Sequence, residues 1–332
     1  MSGKRNQKIR ILKLLDIFCA KTDEDHPLSA AELIKELEAL GITCDRKTIY
    51  EDVDALCFCG YDIIKTRTPK AGYFLSSREF ELPEVALLTD AVLSADFITS
   101  KKTAQLVKKL SRLLNMYQAE KYKTRGFIDN RNKGDNEEIY YSIDAVERAV
   151  QARKKISFSY IKHELQDGHH PEATAKQMTV SPYALIWADD HYYLICNYEK
   201  YDNLMHLRLD RMKSVKVLKE DFRHFSEVSE YKKEFNIADY GSKVFNMFSG
   251  SQQEITLECS TDILEQVIDR FSDKIFIRSS EEKTFVFSTK AFISDGLVAW
   301  IMQFGNKMKI KSPESLAEKL LLKAKEIESN YQ

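Results

Sequence analysis

The stretch ITCDRKTIYEDVDAL, residues 42–56, combines a helix-capping residue, a basic first turn and a periodic apolar stripe. Asp45 is of a type that caps helices, and apolar side chains then recur at the spacing that buries one side of a helix. A helix that only packs needs no polar mixture on its other side, so this segment predicts a helix that contacts something polar and patterned. At about 100° per residue, the buried positions are Ile49, Val53 and Leu56, and the polar ones are Lys47, Tyr50, Glu51 and Asp54, with Arg46 in the exposed first turn.

Helical patterns precede this segment and a basic hairpin follows it. Residues 8–19 carry apolar side chains at helical spacing, and the next helix opens with a capping box of Ser29 and Glu32. Residues 60–76, GYDIIKTRTPKAGYFLS, give two strand-like runs joined by a basic connection that contains proline and glycine. Helices followed by such a hairpin are the layout of a winged helix-turn-helix, in which the last helix enters the major groove and the wing contacts the DNA backbone.

The residues that we expect to contact DNA lie on this helix and this hairpin. Arginine and lysine can bind guanine or phosphate, glutamate can accept from the amino group of cytosine, and tyrosine offers a hydroxyl. A solvated helix face is the alternative interpretation of the helix taken alone, and the basic hairpin after it favours DNA. The candidate contacts are Arg46, Lys47, Thr48, Tyr50, Glu51, Asp54, Lys65, Arg67 and Lys70.

Length, composition and charge restrict the class of protein. A chain of 332 residues that is 43% hydrophobic and 30% charged is typical of a folded protein with two or three domains. The formal net charge of −1 does not indicate a nucleic-acid binder, so the prediction of DNA contacts depends on local basic clusters. No apolar run is long enough to cross a membrane, and the basic start continues into an amphipathic helix without a cleavage site. We therefore expect a cytoplasmic protein with no membrane partner.

Beyond the hairpin the pattern is first helical and then mostly β. Leu82 to about Arg125 predicts two or three helices, and the polar stretch 129–138 predicts a linker. One more helix and several closely spaced strands then predict a small antiparallel sheet or barrel. After about residue 245, the order β-α-β-β-α-β predicts a compact α+β sandwich. The expected fold is multidomain α+β, with a winged helix-turn-helix at 1–80, a helical linker at 81–137, a strand-rich domain at 138–228 and a C-terminal domain at 245–332.

Residues 191–212, HYYLICNYEKYDNLMHLRLDRM, contain the most unusual group of polar side chains. Arg208 and Arg211 near tyrosine hydroxyls and Ser181 would form an anion or phosphate pocket, because arginine supplies forked donors and tyrosine a neutral one. In the alternative interpretation, Asp210 neutralises one arginine in a structural pair. Strand parity adds Tyr160 and His206 as further candidates.

No catalytic or metal-binding pattern stands out in the sequence. His169 and His170 follow His163 and Glu164, but no HExxH helix and no third ligand at a telling spacing accompany them. The GxSxG, P-loop and GxGxxG patterns are absent. The six cysteines are scattered and form neither a disulfide framework nor a paired zinc knuckle. We therefore predict no enzyme, no metal site and no cofactor.

Several of these stretches together resemble the WYL-domain transcriptional regulators, in order and over nearly the whole chain. The stretches are DRKTIYEDVDALCFCGYDI, AGYFLSSREFELPEVALL, VSPYALIW, YYLICNY and LRLDRM. The naming tripeptide Trp-Tyr-Leu appears as Tyr192, Tyr193 and Leu194, and the later FRLDR element begins with Leu207 in place of phenylalanine. The resemblance implies a DeoR-like winged helix-turn-helix, a WYL domain with an Sm-like barrel, and a C-terminal extension called WCX, here a ferredoxin-like α/β sandwich.

The family resemblance also implies a binding site and a mode of action. WYL domains are thought to sense ligands, in several cases nucleic-acid fragments, through a basic pocket. By position, that pocket would contain Ser181, Tyr193, Arg208 and Arg211. WCX regions are implicated in dimer contacts and effector response, and residues 297–316 resemble that part of the extension.

Two functional hypotheses follow from the sequence. In the first, the chain is a homodimeric transcription regulator that binds a double-stranded operator and responds to a single-stranded nucleic acid or a small anionic effector. In the second, it is a single-stranded nucleic-acid sensor or accessory protein that acts on a partner protein. The wing and the helix capped by Asp45 favour the first hypothesis, because an accessory sensor does not need a complete DNA-binding domain.

Overall fold

The computed structural model describes residues 2–123, 133, 136–166, 170–272, 275–280 and 283–332. They divide into two compact units, residues 1–134 and 135–332. Within the described ranges, none of the helices combines the length and the apolar character needed to span a membrane.

The first unit opens with the predicted helices and hairpin. Leu14, Phe18, Leu33 and Ile49 form the centre of the core that joins the three helices, and all four are fully buried. The backbone of Leu28 forms a bridge to the second hairpin strand, which ties the hairpin to the helices. The bounds are α1 Ser2–Lys21, α2 Ala30–Ala39, α3 Arg46–Phe58, β1 Ile63–Thr66 and β2 Gly72–Leu75, and β1 pairs antiparallel with β2.

The predicted caps of α2 and α3 are confirmed. Ser29 accepts a hydrogen bond from the backbone of Glu32, whose carboxylate accepts one from the backbone of Ser29. The carboxylate of Asp45 accepts a hydrogen bond of 2.8 Å from the backbone N–H of Thr48. These bonds satisfy donors that every helix start leaves unpaired, so both helices begin where the sequence predicts.

After β2, the described residues of the first unit form further helices, as the apolar spacing predicts. Asn115 precedes the last of these helices, and its side-chain amide donates to the carbonyl of Thr22 and to the carboxylate of Asp23 at the end of α1. This buried amide connects the later helices to the N-terminal ones. The bounds are α4 Leu82–Ser94, α5 Ser100–Leu110 and α6 Met116–Lys123.

The second unit begins with a helix packed on a five-stranded antiparallel sheet in the order β6-β5-β4-β3-β7. A closed Sm-like barrel is not confirmed, because the ladders of the described strands form an open sheet. Strands β6 and β7 lie at opposite edges, yet only Leu209–Arg211 connects them, so the sheet must curl strongly at that end. The bounds are α7 Ile139–Ala152, β3 Lys154–Gln166, β4 His170–Ala188, β5 His191–Asn197, β6 Met205–Arg208 and β7 Met212–Asp221.

A second sheet follows in the same unit, with the predicted β-α-β-β-α-β order and antiparallel strands arranged as β11-β8-β10-β9. This is the strand arrangement of a split β-α-β sandwich. Leu257, Phe287 and Leu297 are fully buried between the sheet and its helices. The short helix α8 is not predicted by the sequence pattern. The bounds are α8 Ile237–Lys243, β8 Ser251–Ser260, α9 Leu264–Phe271, β9 Phe276–Ser280, β10 Thr284–Ile293, α10 Asp295–Met302, β11 Met308–Ser312 and α11 Glu314–Ser329.

Candidate functional site

The side of α3 opposite its buried stripe is open to solvent. Arg46, Lys47, Glu51 and Asp54 are exposed, and Tyr50 retains 40% of its accessible surface. Thr48 is half-buried near the helix start. Lys47 and Glu51 lie 3.9 Å apart as an exposed pair one turn apart, a type of contact that solvent screens and that stabilises little. The polar side of α3 is therefore free to form other contacts.

A buried ion pair that the sequence analysis missed fixes the other side of α3. Arg10 of α1 donates from Nε to Asp52 Oδ2 at 2.5 Å and from Nη2 to Oδ1 at 3.0 Å. Asp52 is only 2% exposed. Its signal in the sequence is an acidic residue inside the apolar stripe, three positions after Ile49. The forked contact fixes both the position and the rotation of α3 on α1.

The hairpin supplies the remaining basic candidates, and the structure distinguishes among them. Lys65 lies over the ring of Tyr73 with Nζ 5.7 Å from its centroid, and Arg67 is exposed. Lys70 instead donates to Glu32 at 2.6 Å, and this bond is the main reason that the pKa of Glu32 falls to about 2. Lys65 and Arg67 are thus better placed than Lys70 to meet a phosphate.

In the second unit, four of the predicted pocket residues lie close together. Tyr193 and Arg208 are register partners on adjacent strands, and the backbone N–H of Arg208 donates to the hydroxyl of Tyr160 at 3.3 Å. Arg211 ends the short 3₁₀ turn that follows β6, and its charge acts on Tyr160. Burial raises the pKa of both Tyr160 and Tyr193, so both hydroxyls stay neutral and available as hydrogen-bond donors.

The two arginines of this cluster differ in their partners. Arg208 forms a forked pair with Asp210, with Nε–Oδ1 at 3.1 Å and Nη2–Oδ2 at 2.7 Å. Arg211 is half-buried and forms no hydrogen bond or ion pair within the described ranges. The alternative in which Asp210 neutralises one arginine therefore applies to Arg208, and the uncompensated positive charge of the cluster is on Arg211.

The turn that carries these arginines is fastened by residues just before α7. Asn136 is 8% exposed and donates from Nδ2 to the carbonyls of Asp210 and Met212 at 2.9 and 2.8 Å. Glu138 accepts a hydrogen bond of 2.8 Å from the backbone of Ser214. The start of the second unit thus holds the backbone on both sides of Arg211.

Ser181 and His206 are not brought into this cluster. Ser181 pairs with Asn197 on β5, four residues and about 13 Å along the strand from Tyr193, and its hydroxyl accepts from the backbone of Arg223. His206 lies between the carbonyl of Met247 and the hydroxyl of Tyr240, at 2.6 and 2.7 Å. A carbonyl only accepts, so Nδ1 carries the proton and Nε2 accepts from the tyrosine. Both ring nitrogens are therefore occupied by structural bonds.

The described residues contain no group of three or more histidine, cysteine or acidic side chains that could hold a metal ion. His169, which the sequence analysis considered as a ligand, lies outside the described residues. All six cysteines are free thiols.

Two parts of the chain match known domain families. Residues 142–217 match the WYL domain, and residues 251–327 match the WCX domain. The second unit therefore carries these two domains in that order.

A solved structure is also similar to this chain. Proteasome accessory factor B/C (PafBC) of Arthrobacter aurescens has 16% sequence identity over 95% of this chain and 47% of that chain, with a TM-score of 0.28. This chain thus spans about half the length of PafBC. A search of the curated proteins gave no match.

Proposed function

We propose that the chain is a DNA-binding transcription regulator, and not an enzyme, in which residues 1–80 form a winged helix-turn-helix. The observation that carries this proposal is the polar side of α3, which is open to solvent while its other side is fixed by the ion pair of Arg10 and Asp52. A reading helix needs this combination, because base contacts require an exposed side and a fixed orientation. The WYL and WCX domains in the second unit agree with a regulator.

The proposed DNA contacts fall into two groups. Arg46, Lys47 and Tyr50 extend from the start and the exposed side of α3 towards base edges and phosphates, with Thr48, Glu51 and Asp54 beside them. Lys65 and Arg67 of the hairpin bind the sugar-phosphate backbone. Lys70 joins them only if it leaves Glu32, so we assign it the smallest contribution.

The second unit supplies the response to an effector. We assign residues 138–228 to the WYL sensing domain, residues 245–332 to the WCX extension and residues 81–137 to a helical linker. The effector site consists of Arg211, Tyr160, Tyr193 and Arg208, and it takes a nucleic-acid fragment or another anion. An effector changes DNA binding only if it binds one arrangement of the chain better than another.

The first test compares two double variants of the first unit in a gel shift. Duplexes selected from a random pool by the unaltered chain serve as the probe. Arg46→Ala with Lys47→Ala should abolish specific retention, while the thermal midpoint stays nearly unchanged because both side chains are exposed. The matched control, Lys108→Ala with Lys109→Ala, removes the same charge from the exposed last turn of α5 and should retain the duplex. Retention by the first variant would show that α3 is not the reading helix.

The second test separates the two arginines of the effector site. Arg211→Ala should weaken binding of a fluorescent single-stranded oligonucleotide by about tenfold or more, because one charge-assisted contact is lost. Its circular dichroism should stay unchanged, since Arg211 forms no hydrogen bond or ion pair within the described ranges. Arg208→Ala leaves Asp210 without its partner and should therefore lower stability as well. Equal oligonucleotide affinity in all three chains would refute this assignment.

Duplex retention, single-strand binding and sedimentation together decide between the regulator and the accessory sensor. A regulator retains selected duplexes and sediments as a homodimer at micromolar concentration, as a two-fold operator requires. An accessory sensor binds the single strand and retains no duplex. A monomer without duplex binding would favour the sensor.

A further inference from the structure

A cavity lies in the second unit where the first sheet meets α8, α9 and α10. Its volume is about 280 Å³, near the lower end for sites that bind small molecules. Ile186 lines it from β4, Asp189 from the turn after β4, Arg270 from α9 and Trp300 from α10. The segment after α8 completes the wall with Asn246 and its neighbours. None of the arginines or tyrosines of the proposed effector site lines this cavity.

The guanidinium of Arg270 is held in an apolar setting. Its central carbon lies 4.0 Å from the centroid of the Phe245 ring and 5.9 Å from that of Phe271. Nη2 donates to the carbonyl of Val244. In the described part of the chain this guanidinium forms no ion pair. Burial lowers the pKa of Arg270, and Asp189 is the one acid that opposes this effect.

An arginine placed in this way has donors that its surroundings do not use. A guanidinium offers five N–H donors, and the described residues accept from one nitrogen only. Arg270 is half-buried, and a cation withdrawn from solvent without a paired anion is less favourable than one in water. An anion in the cavity would offset that cost.

The backbone around the cavity is also unusual. Seven described residues other than glycine have a positive φ, and three of them line the cavity: Asp189 at 49°, Asn246 at 48° and Met247 at 54°. Asparagine and aspartate adopt this conformation readily, but methionine does so at a cost. Strained backbone of this kind is concentrated at binding sites, and here His206 bonds the carbonyl of Met247 in place.

We propose that this cavity is a binding site for a small organic anion. The carboxylate or phosphate of the ligand accepts hydrogen bonds from Arg270, and its apolar part packs against Trp300 and Ile186. Because the cavity has walls from the WYL sheet and from the WCX helices, a bound anion joins the two domains.

The test uses Trp300 as its own reporter. The chain has two tryptophans, so Trp187→Phe leaves Trp300 as the single one in an otherwise complete chain. Benzoate and inorganic phosphate are titrated separately, and at least one should give a saturable change in tryptophan emission. A response to benzoate alone indicates a carboxylate ligand, and a response to phosphate alone indicates a phosphate ligand. No saturable change with either probe would overturn the proposal.

Two variants in this background locate the response. Arg270→Met should weaken the affinity by about tenfold or more. Arg278→Met removes the same charge from an exposed arginine of β9 and should leave the affinity unchanged. An equal affinity in the Arg270 and Arg278 variants would overturn the proposal.

Asp189→Asn provides a test that does not depend on Arg270→Met being folded. Asparagine fits the positive φ at this position, and the change removes the carboxylate that repels an anion. Anion affinity should rise by about twofold or more if the effective dielectric constant is that of a protein surface. An unchanged or lower affinity would overturn the proposal. Since no DNA is involved, these results leave the proposed DNA-binding function untouched.

Discussion

The buried pair of Arg10 and Asp52 gives the sharpest prediction about the first unit. Asp52→Leu leaves the Arg10 guanidinium without its anion, and the two side chains are only 14% and 3% exposed. Removing one partner of such a pair costs about 3–5 kcal/mol. Because Arg10 reaches some solvent, we expect about 3 kcal/mol for this variant.

The companion variant replaces both partners. Arg10→Met with Asp52→Leu substitutes apolar side chains of similar size, and such exchanges of buried ion pairs are close to neutral or stabilising. The double variant should therefore recover most of the free energy of unfolding lost in Asp52→Leu. It should recover less duplex binding than stability, because the apolar pair packs in the same place but lacks the forked contact that fixes the rotation of α3.

Urea unfolding with two probes measures this difference. Both tryptophans, Trp187 and Trp300, are in the second unit, so tryptophan emission serves as an internal control that should not change. Circular dichroism reports both units, and the transition that tryptophan emission does not follow should shift to lower urea in Asp52→Leu. If that transition stays in place, or if the double variant is no more stable than the single one, the pair does not hold α3 as described.

Two further predictions concern pH. Burial lowers the pKa of His206 to about 4, whereas the unfolded imidazole titrates near its ordinary value of about 6.5. As the pH drops, the unfolded chain therefore takes up the proton first. The free energy of unfolding falls between about pH 6.5 and about pH 4. His206→Phe should be less stable at pH 7 but lose less over that range, as measured by urea midpoints from tryptophan emission; an equal loss in both chains would contradict this. Glu32 has its pKa lowered to about 2, chiefly by Lys70, so its stabilising effect is complete above the unfolded pKa of about 4.3 and is lost as the pH falls through about 2. Glu32→Gln should lower the circular-dichroism melting midpoint at pH 7, and its difference from the unaltered chain should be mostly lost by pH 2; a constant difference would contradict this.

The sequence predicts those structural features that depend on residues close together along the chain, such as helix caps and apolar periodicity. The capping bonds of Ser29 and Asp45 act over three residues, and the buried stripe of α3 repeats every turn, so both are visible in the printed sequence. The order of elements in the C-terminal domain is predicted for the same reason, since strands and helices have different periods.

Contacts between distant residues are what the sequence analysis missed. Arg10 and Asp52 are 42 positions apart, and Asn136 and Asp210 are 74 apart, so no local pattern connects them. Strand parity placed His206 beside Arg208, but parity does not show that α8 covers one end of that strand and binds the imidazole. The sequence left open which arginine Asp210 neutralises, because that choice depends on the backbone of a 3₁₀ turn.

The two hydrogen bonds from Asn136 have a mechanical consequence. A ligand that displaces Arg211 must either break both of these hydrogen bonds or move Asn136 together with the turn. Breaking them is costly, because the bond to the carbonyl of Met212 is buried and the bond to the carbonyl of Asp210 is partly buried. A displacement of the arginine turn is therefore passed to Asn136, at the start of the second unit.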